Sequence, residues 1–197
     1  MNTSGWTALV AFAGVGRAGN VDVSDWLADK IGELGFSATP IDELMNALLT
    51  ADEEWLRGVT DPVLRRHTFS VAGFVGSGPV FGLVSNFEDL AGRVEATARP
   101  ILDSWLVDVR KPVIFVAGQR HEVPRPERRR LRHLAERDPD PQVVYDALAN
   151  VNRAVAERNA FVSEACWVQH ARLTGDGGGR GFGLEGRPKP QIGRAHV

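Results

Sequence analysis

The chain of 197 residues has one cysteine, Cys166, and one tyrosine. A single thiol cannot close an internal disulfide, which excludes a disulfide-stapled secreted scaffold and fits a reducing compartment. No run of about 18 uncharged apolar residues occurs, so a membrane-spanning helix is not expected. Residues 1–7 lack the basic start and apolar core of a secretory leader, and the cytoplasm is the expected location. Charge of one sign is lacking too: the formal net charge is -2 and the pI near 6.2. That balance gives no reason to expect a nucleic-acid partner. His67, His121 and His133 fall without metal-ligand spacing, and Trp6, Trp26, Trp55, Trp105 and Trp167 are scattered singly along the chain. Neither a metal centre nor a base-stacking platform follows from them, and no cofactor is expected.

What is present suits an ordinary globular protein, 43% hydrophobic and 24% charged, enough to bury a full core. The most informative stretch runs from Arg65 to Asp89. Phe69, Val71 and Gly73 alternate with Thr68, Ser70 and Ala72, then Gly76-Ser77-Gly78-Pro79 makes a turn and Val80–Val84 is almost continuously apolar. This pattern predicts an antiparallel hairpin, one arm half buried and the other more so.

Ahead of the hairpin the pattern predicts a strand over 8–13, a glycine-spaced loop over 14–23, and a helix over 25–34 capped by Ser24. Trp26, Leu27, Ile31 and Leu34 form that helix's apolar face, and a second helix over 41–56 carries Leu44, Leu48 and Leu49 at helical spacing. After the hairpin, residues 91–110 read as loop and 113–117 as a strand. A basic helix over 126–137, an amphipathic helix over 141–158 and a last strand over 165–173 follow. On the basic helix Arg125, Arg128, Arg129, Arg130 and Arg132 interleave with Glu122, Glu127, Glu136 and Asp138, which reads as an acid-paired, solvated face. Cys166 and His170 share a strand face but stand four residues, about 13 Å, apart, too far for a catalytic dyad. Cys166 therefore reads as a small core side chain. The domain expected is residues 1–174. The Gly-rich segment 175–186 reads as a turn or frayed tail, and residues 192–197, Ile-Gly-Arg-Ala-His-Val, match the translation of a common sequencing adapter and are set aside with His196.

Helix pairs on either side of a central hairpin suit antiparallel sheets covered by helices, an α+β sandwich of αββα layers. At this point the chain resembles the proteasome-type branch of the N-terminal-nucleophile hydrolases, over about residues 8–173. The matching features are Phe12-Ala13-Gly14 at a strand end, the helix pair, Leu64-Arg65-Arg66 before the hairpin, Val116-Ala117-Gly118, and Ser163 before the closing strand. The resemblance implies a peptidase or amidohydrolase whose freed N-terminal threonine uses its own amine as base, with a lysine and an acid on the strands that come first. It implies that the Gly14 backbone N–H lines the oxyanion hole, because a glycine lets the chain approach the substrate closely. It also implies a homo-oligomer and a peptide or amide substrate.

Those first strands would lie ahead of Ala8, and neither Thr3 nor Thr7 opens a strand hairpin beside a lysine. The expectation is thus an N-terminally truncated member, its nucleophile outside this chain and the chain itself inactive. Gln119, where the family has serine, and Asn159, where it has aspartate ahead of Ser163, point the same way and suggest a non-catalytic assembly or binding module as the alternative. A further alternative starts from Gly14-Val15-Gly16-Arg17-Ala18-Gly19, which fits the G-x-G-x-x-G spacing of a Rossmann-like dinucleotide site, with Asp42 near the distance of its ribose-binding acid.

Overall fold

The computed structural model describes residues 6–34, 40–111, 113–117, 122–137, 140–159, 166–173 and 180–187. The chain is α+β and divides into two compact units, residues 1–110 with 115–118, and residues 111–114 with 119–197. The first unit is built on a four-stranded antiparallel sheet. Its strands are β1 (Trp6–Gly14), β4 (His67–Val75), β5 (Gly78–Ser85) and β6 (Asp103–Asp108), in the spatial order β1-β4-β5-β6. Between β1 and β4 come a short ribbon of β2 (Arg17–Ala18) and β3 (Val21–Asp22), then helices α1 (Val23–Glu33), α2 (Ile41–Leu49) and α3 (Ala51–Glu54), and a 3-10 turn at Leu56–Gly58.

Strand alternation gives the sheet two faces. On one face Phe12 stands opposite Phe69, Val10 opposite Val71, and Phe69 opposite Val84. This face buries against Val23, Trp26 and Leu27 of α1 and Leu44, Met45 and Leu48 of α2. The apolar stripe expected on α1 is the one observed, with Trp26 and Leu27 buried and Ile31 and Leu34 packed against the core. Close helix-to-sheet contact depends on Gly82, where an added Cβ would lie 2.8 Å from Met45 Sδ. The other face is also apolar and less covered. Leu83 is buried, Leu9, Phe81 and Trp105 are half-buried, and Ala72 and Val107 are exposed.

The hairpin is as expected with a tighter turn. Val75 pairs with Gly78, so only Gly76 and Ser77 bridge the strands, and Gly76 supplies the positive φ of 58° that such a loop needs. Several expectations are corrected. The cap of α1 is Asp22 and not Ser24, because the helix begins at Val23 and the Ser24 N–H donates to the Asp22 carboxylate at 2.9 Å. The helix over 41–56 breaks at Thr50, whose hydroxyl donates to Ala47 O at 2.8 Å, a back-bond that tightens the last turn of α2. The strand after the hairpin is β6, inside the segment read as loop; Leu106 there pairs with Gly82 and packs on the core. Residues 113–117 form no strand, and Phe115 instead lies against Phe81 with ring centroids 5.1 Å apart.

The second unit holds helices α4 (Arg125–Ala135) and α5 (Pro141–Ala156), which pack together and bury Leu131, Tyr145, Ala147 and Val155, and a two-stranded antiparallel ribbon of β7 (Cys166–Leu173) and β8 (Arg180–Arg187). The segment read as a Gly-rich tail therefore includes a strand. Its Gly181, Gly183 and Gly186 pair across to Arg172, His170 and Trp167, and the partner strand overrides their weak strand propensity. Residues 192–197 lie outside the described residues. No described helix is long and apolar enough to cross a membrane.

Candidate functional site: the Gly14 corner and the buried polar cluster

Gly14 closes β1 opposite His67 with φ at 114°, where an added Cβ would sit 2.1 Å from the carbonyl oxygen of Arg66. Both facts demand glycine. The reason visible in this chain is the close passage of the segment entering β4, whereas the sequence singled out the same glycine for an oxyanion role.

Next to this corner lies a set of fully buried polar side chains at the end of β4 and β5: His67, Thr68, Ser85, Asn86 and Glu88. Ser85 Oγ accepts from the N–H groups of Phe87 and Glu88 at 3.2 and 3.1 Å. It lies 2.7 Å from Thr68 Oγ1, which donates to Glu88 Oε1 at 2.5 Å. With the Ser85 oxygen accepting twice and the Thr68 proton committed to Glu88, the Ser85 proton goes to Thr68 Oγ1. Each hydroxyl then donates once, and the chain of donors ends on a carboxylate. Neither hydroxyl is poised as a nucleophile, since each is buried and its proton already has an acceptor.

Asn86 continues the clamp. Its Oδ1 accepts from His67 N–H at 2.9 Å and its Nδ2 donates to Arg65 O at 3.0 Å. Arg65 Nη2 donates to Arg99 O at 2.7 Å, and Arg99 Nη2 donates to Ser85 O at 2.9 Å. The Arg99 guanidinium also faces Glu95 and Asp103, each at 3.3 Å. Arg65 of the Leu-Arg-Arg motif thus has a structural task, tying the approach to β4 to the segment between β5 and β6. Sequence reasoning missed Ser85, Asn86, Glu88 and Arg99. A signal was present: Ser85-Asn86-Phe87-Glu88 has the S-x-x-E spacing in which a serine oxygen accepts the N–H three residues on.

His67 has both ring nitrogens buried without a hydrogen-bond partner, inside a box of Phe12, Trp55 and Phe69 with ring centroids 5.8, 5.1 and 4.5 Å away. Burial pushes its pKa from 6.5 down to about 3, so the imidazole is neutral. Beside Trp55 a cavity of about 290 Å³ is lined by Ala18, Val21, Glu53, Glu54 and Val59. Both of its carboxylates already have cationic neighbours. Glu54 takes Lys30 Nζ at 2.7 Å as well as Trp26 Nε1–H at 2.7 Å, and Glu53 lies 4.0 Å from Arg57. Desolvation would raise the Glu54 pKa, yet hydrogen bonds from Lys30, Trp26 and Thr50 together hold it below the usual carboxylate range.

The dinucleotide alternative is corrected by this geometry. β1 runs antiparallel to β4, where a βαβ unit needs parallel neighbours. Gly19, with φ 58°, turns the β2–β3 ribbon, and α1 starts only at Val23. Its N-terminus is already occupied: Val23 N–H donates to Gly16 O, and Ser24 N–H to the Asp22 carboxylate at 2.9 Å, leaving a negative charge where a pyrophosphate would sit. Asp42 lies in the first turn of α2.

Gln119 and Ser163 lie outside the described residues. Asn159 Nδ2 donates to Glu122 Oε1 at 3.2 Å, in the second unit. Among the described residues no group of His, Cys, Asp or Glu is placed to hold a metal ion. No protein-family model matches the chain, and neither curated proteins nor solved structures yield a match.

Proposed function

We propose that the chain forms a helix-covered sheet of a proteasome-type N-terminal-nucleophile fold, and that it contributes the scaffold and not the nucleophile of an amide-bond hydrolase. One observation carries this reading. The strand ending in Phe12-Ala13-Gly14 leads through a helix pair into an antiparallel hairpin, making a sheet covered by helices on one face and apolar but half bare on the other. A second sheet against the bare face would complete an αββα sandwich. The locked hydroxyls of Thr68 and Ser85 favour a second reading, a non-catalytic binding module of the same fold.

The test is covalent labelling by a peptide-like electrophile, read by intact mass on this chain and on its reading frame extended upstream. An adduct on the extended protein alone, at an exposed N-terminal Thr, Ser or Cys, supports the hydrolase reading. Absence of any adduct in both leaves the binding module, and an adduct on Thr68 or Ser85 overturns both readings.

A further inference from the structure

The two edges of the four-stranded sheet differ in how they are guarded. Natural sheet edges are kept from pairing by charge, proline, bulges or short length. β6 is six residues long and has an aspartate at each end, Asp103 and Asp108. β1 has none of these devices. It runs for nine residues and pairs one to one with β4 from Trp6 to Gly14, with no bulge. Among the described residues the backbone of 7–14 bonds to β4 alone, so a row of N–H and C=O groups faces outward on the other flank. An unguarded edge of this length is a template for another strand.

The side chains of β1 say which strand fits. Trp6, Ala8, Val10 and Phe12 pack against the core, and Thr7, Leu9, Ala11 and Ala13 take the other face. In an antiparallel pair, residues directly opposite each other lie on the same face. When β1 is laid antiparallel on a second β1 with Val10 opposite Val10, Phe12 meets Ala8, Leu9 meets Ala11 and Thr7 meets Ala13. Each larger side chain meets an alanine, and the two-fold repeats every match. The neighbouring registers lose this. With Leu9 at the centre Phe12 meets Trp6, and with Ala11 at the centre Phe12 meets Val10. An offset that breaks the alternation would set core-facing residues against the other face. The size match belongs to β1 read against its own reverse, and no strand pairs with itself inside one chain, so its mate is β1 of a second copy.

We propose that two copies of the chain pair through β1, antiparallel about a two-fold axis at Val10, and so join their four-stranded sheets into one continuous sheet. The core-facing residues of both copies stay on one side, beneath their own helices. The contact is isologous and uses the β1 edge of each copy, so the assembly closes at two. What remains at its outer ends is β6, the edge that carries Asp103 and Asp108. The pairing uses β1 alone and is independent of the hydrolase reading.

Sedimentation velocity of the full chain across a concentration series is expected to show monomer and dimer and nothing larger. In the paired strands the two Ala11 residues are diagonal neighbours on one face, about 7 to 8 Å apart. Ala11→Lys and Ala11→Glu should each weaken the dimer about threefold, and an equimolar mixture of the two should restore it. Disulfide trapping in a Cys166→Ser background reads the register. Leu9→Cys mixed with Ala11→Cys should cross-link on mild oxidation, while either variant alone stays single. Ala11 is exposed and Leu9 half-buried, and circular dichroism checks that the variants fold. If Leu9→Cys does not, Val10→Cys serves, because it meets itself and should cross-link alone. A wild type that is monomeric at every concentration, assemblies larger than two, or cross-linking by Ala11→Cys alone as efficient as in the mixture overturns the proposal. A dimer of this chain that is lost when its reading frame is extended upstream also overturns it, and gives the edge to a preceding segment.

Discussion

His67 shows how a single residue links burial to pH. In the unfolded chain its imidazole takes a proton near pH 6.5, and in the folded chain only near pH 3. Between these values the unfolded state binds more protons, so this contribution to stability is complete above about pH 6.5 and declines as the pH falls towards about 3, at roughly 1.4 kcal/mol per pH unit. Urea unfolding at pH 7 and pH 4 checks this. The wild type should lose on the order of 3 kcal/mol more than His67→Leu over that interval, and equal losses would mean that His67 is accessible to protons. Gly14 is the second residue whose identity is dictated locally. Gly14→Ala should destabilise by about 3 kcal/mol or more, because it combines a positive φ with a carbonyl at 2.1 Å, whereas Gly16→Ala, with open space around its Cβ, should change stability by less than about 0.5 kcal/mol. Equal effects at the two positions in urea denaturation would count against the close-passage explanation. That Gly14 is special was legible from its place at a strand end. The carbonyl that makes it so, from Arg66, is 52 residues away in sequence and was not.

At the scale of elements, what was legible is what a local period specifies. The apolar stripe of α1, the leucines of α2 and the alternation in β4 each recur within a few residues, and each element formed where its pattern lies. Where two segments could fill one sheet edge, the wrong one was read as the strand. Residues 113–117, Val-Ile-Phe-Val-Ala, are the more strand-like run, yet β6 with Pro100 just ahead and aspartates at both ends took the place beside β5. Pairing needs a free edge in register as well as propensity. The helices are held to each other by a polar link that patterning also misses. Glu54 of α3 accepts from Trp26 and Lys30 of α1. Glu54→Ala leaves the indole N–H without its acceptor and should destabilise by about 1 to 2 kcal/mol, with a shift in Trp26 fluorescence. An unshifted spectrum and an unchanged urea midpoint would show the link to be incidental.

For the whole molecule, the α+β class and most of the element order could be read in advance, because the hairpin and helix signals are local; the stretch from 91 to 117 is the exception. The candidate site was much less legible. Its working parts, from Arg65 to Arg99, converge from the approach to β4, the end of β5 and the segment beyond it, and only the folded sheet brings them together. Sequence attention went to glycines and hydroxyls with familiar motif spacing, while the fold used several of them for turns, close passages and a buried clamp.

The position of β1 bears on how the protein behaves in a tube. Among the described residues Trp6–Gly14 pairs on one side only, and its sequence Trp-Thr-Ala-Leu-Val-Ala-Phe-Ala-Gly contains no charge and no proline. An uncapped ribbon of this kind recruits extended chain from any source, including partly unfolded neighbours. Ala11 is exposed, so Ala11→Lys should leave the unfolding midpoint nearly unchanged while suppressing light scattering on mild heating. If the variant clouds as readily as the parent, precipitation starts elsewhere. If it stays clear, one lysine will have made concentrated samples practical.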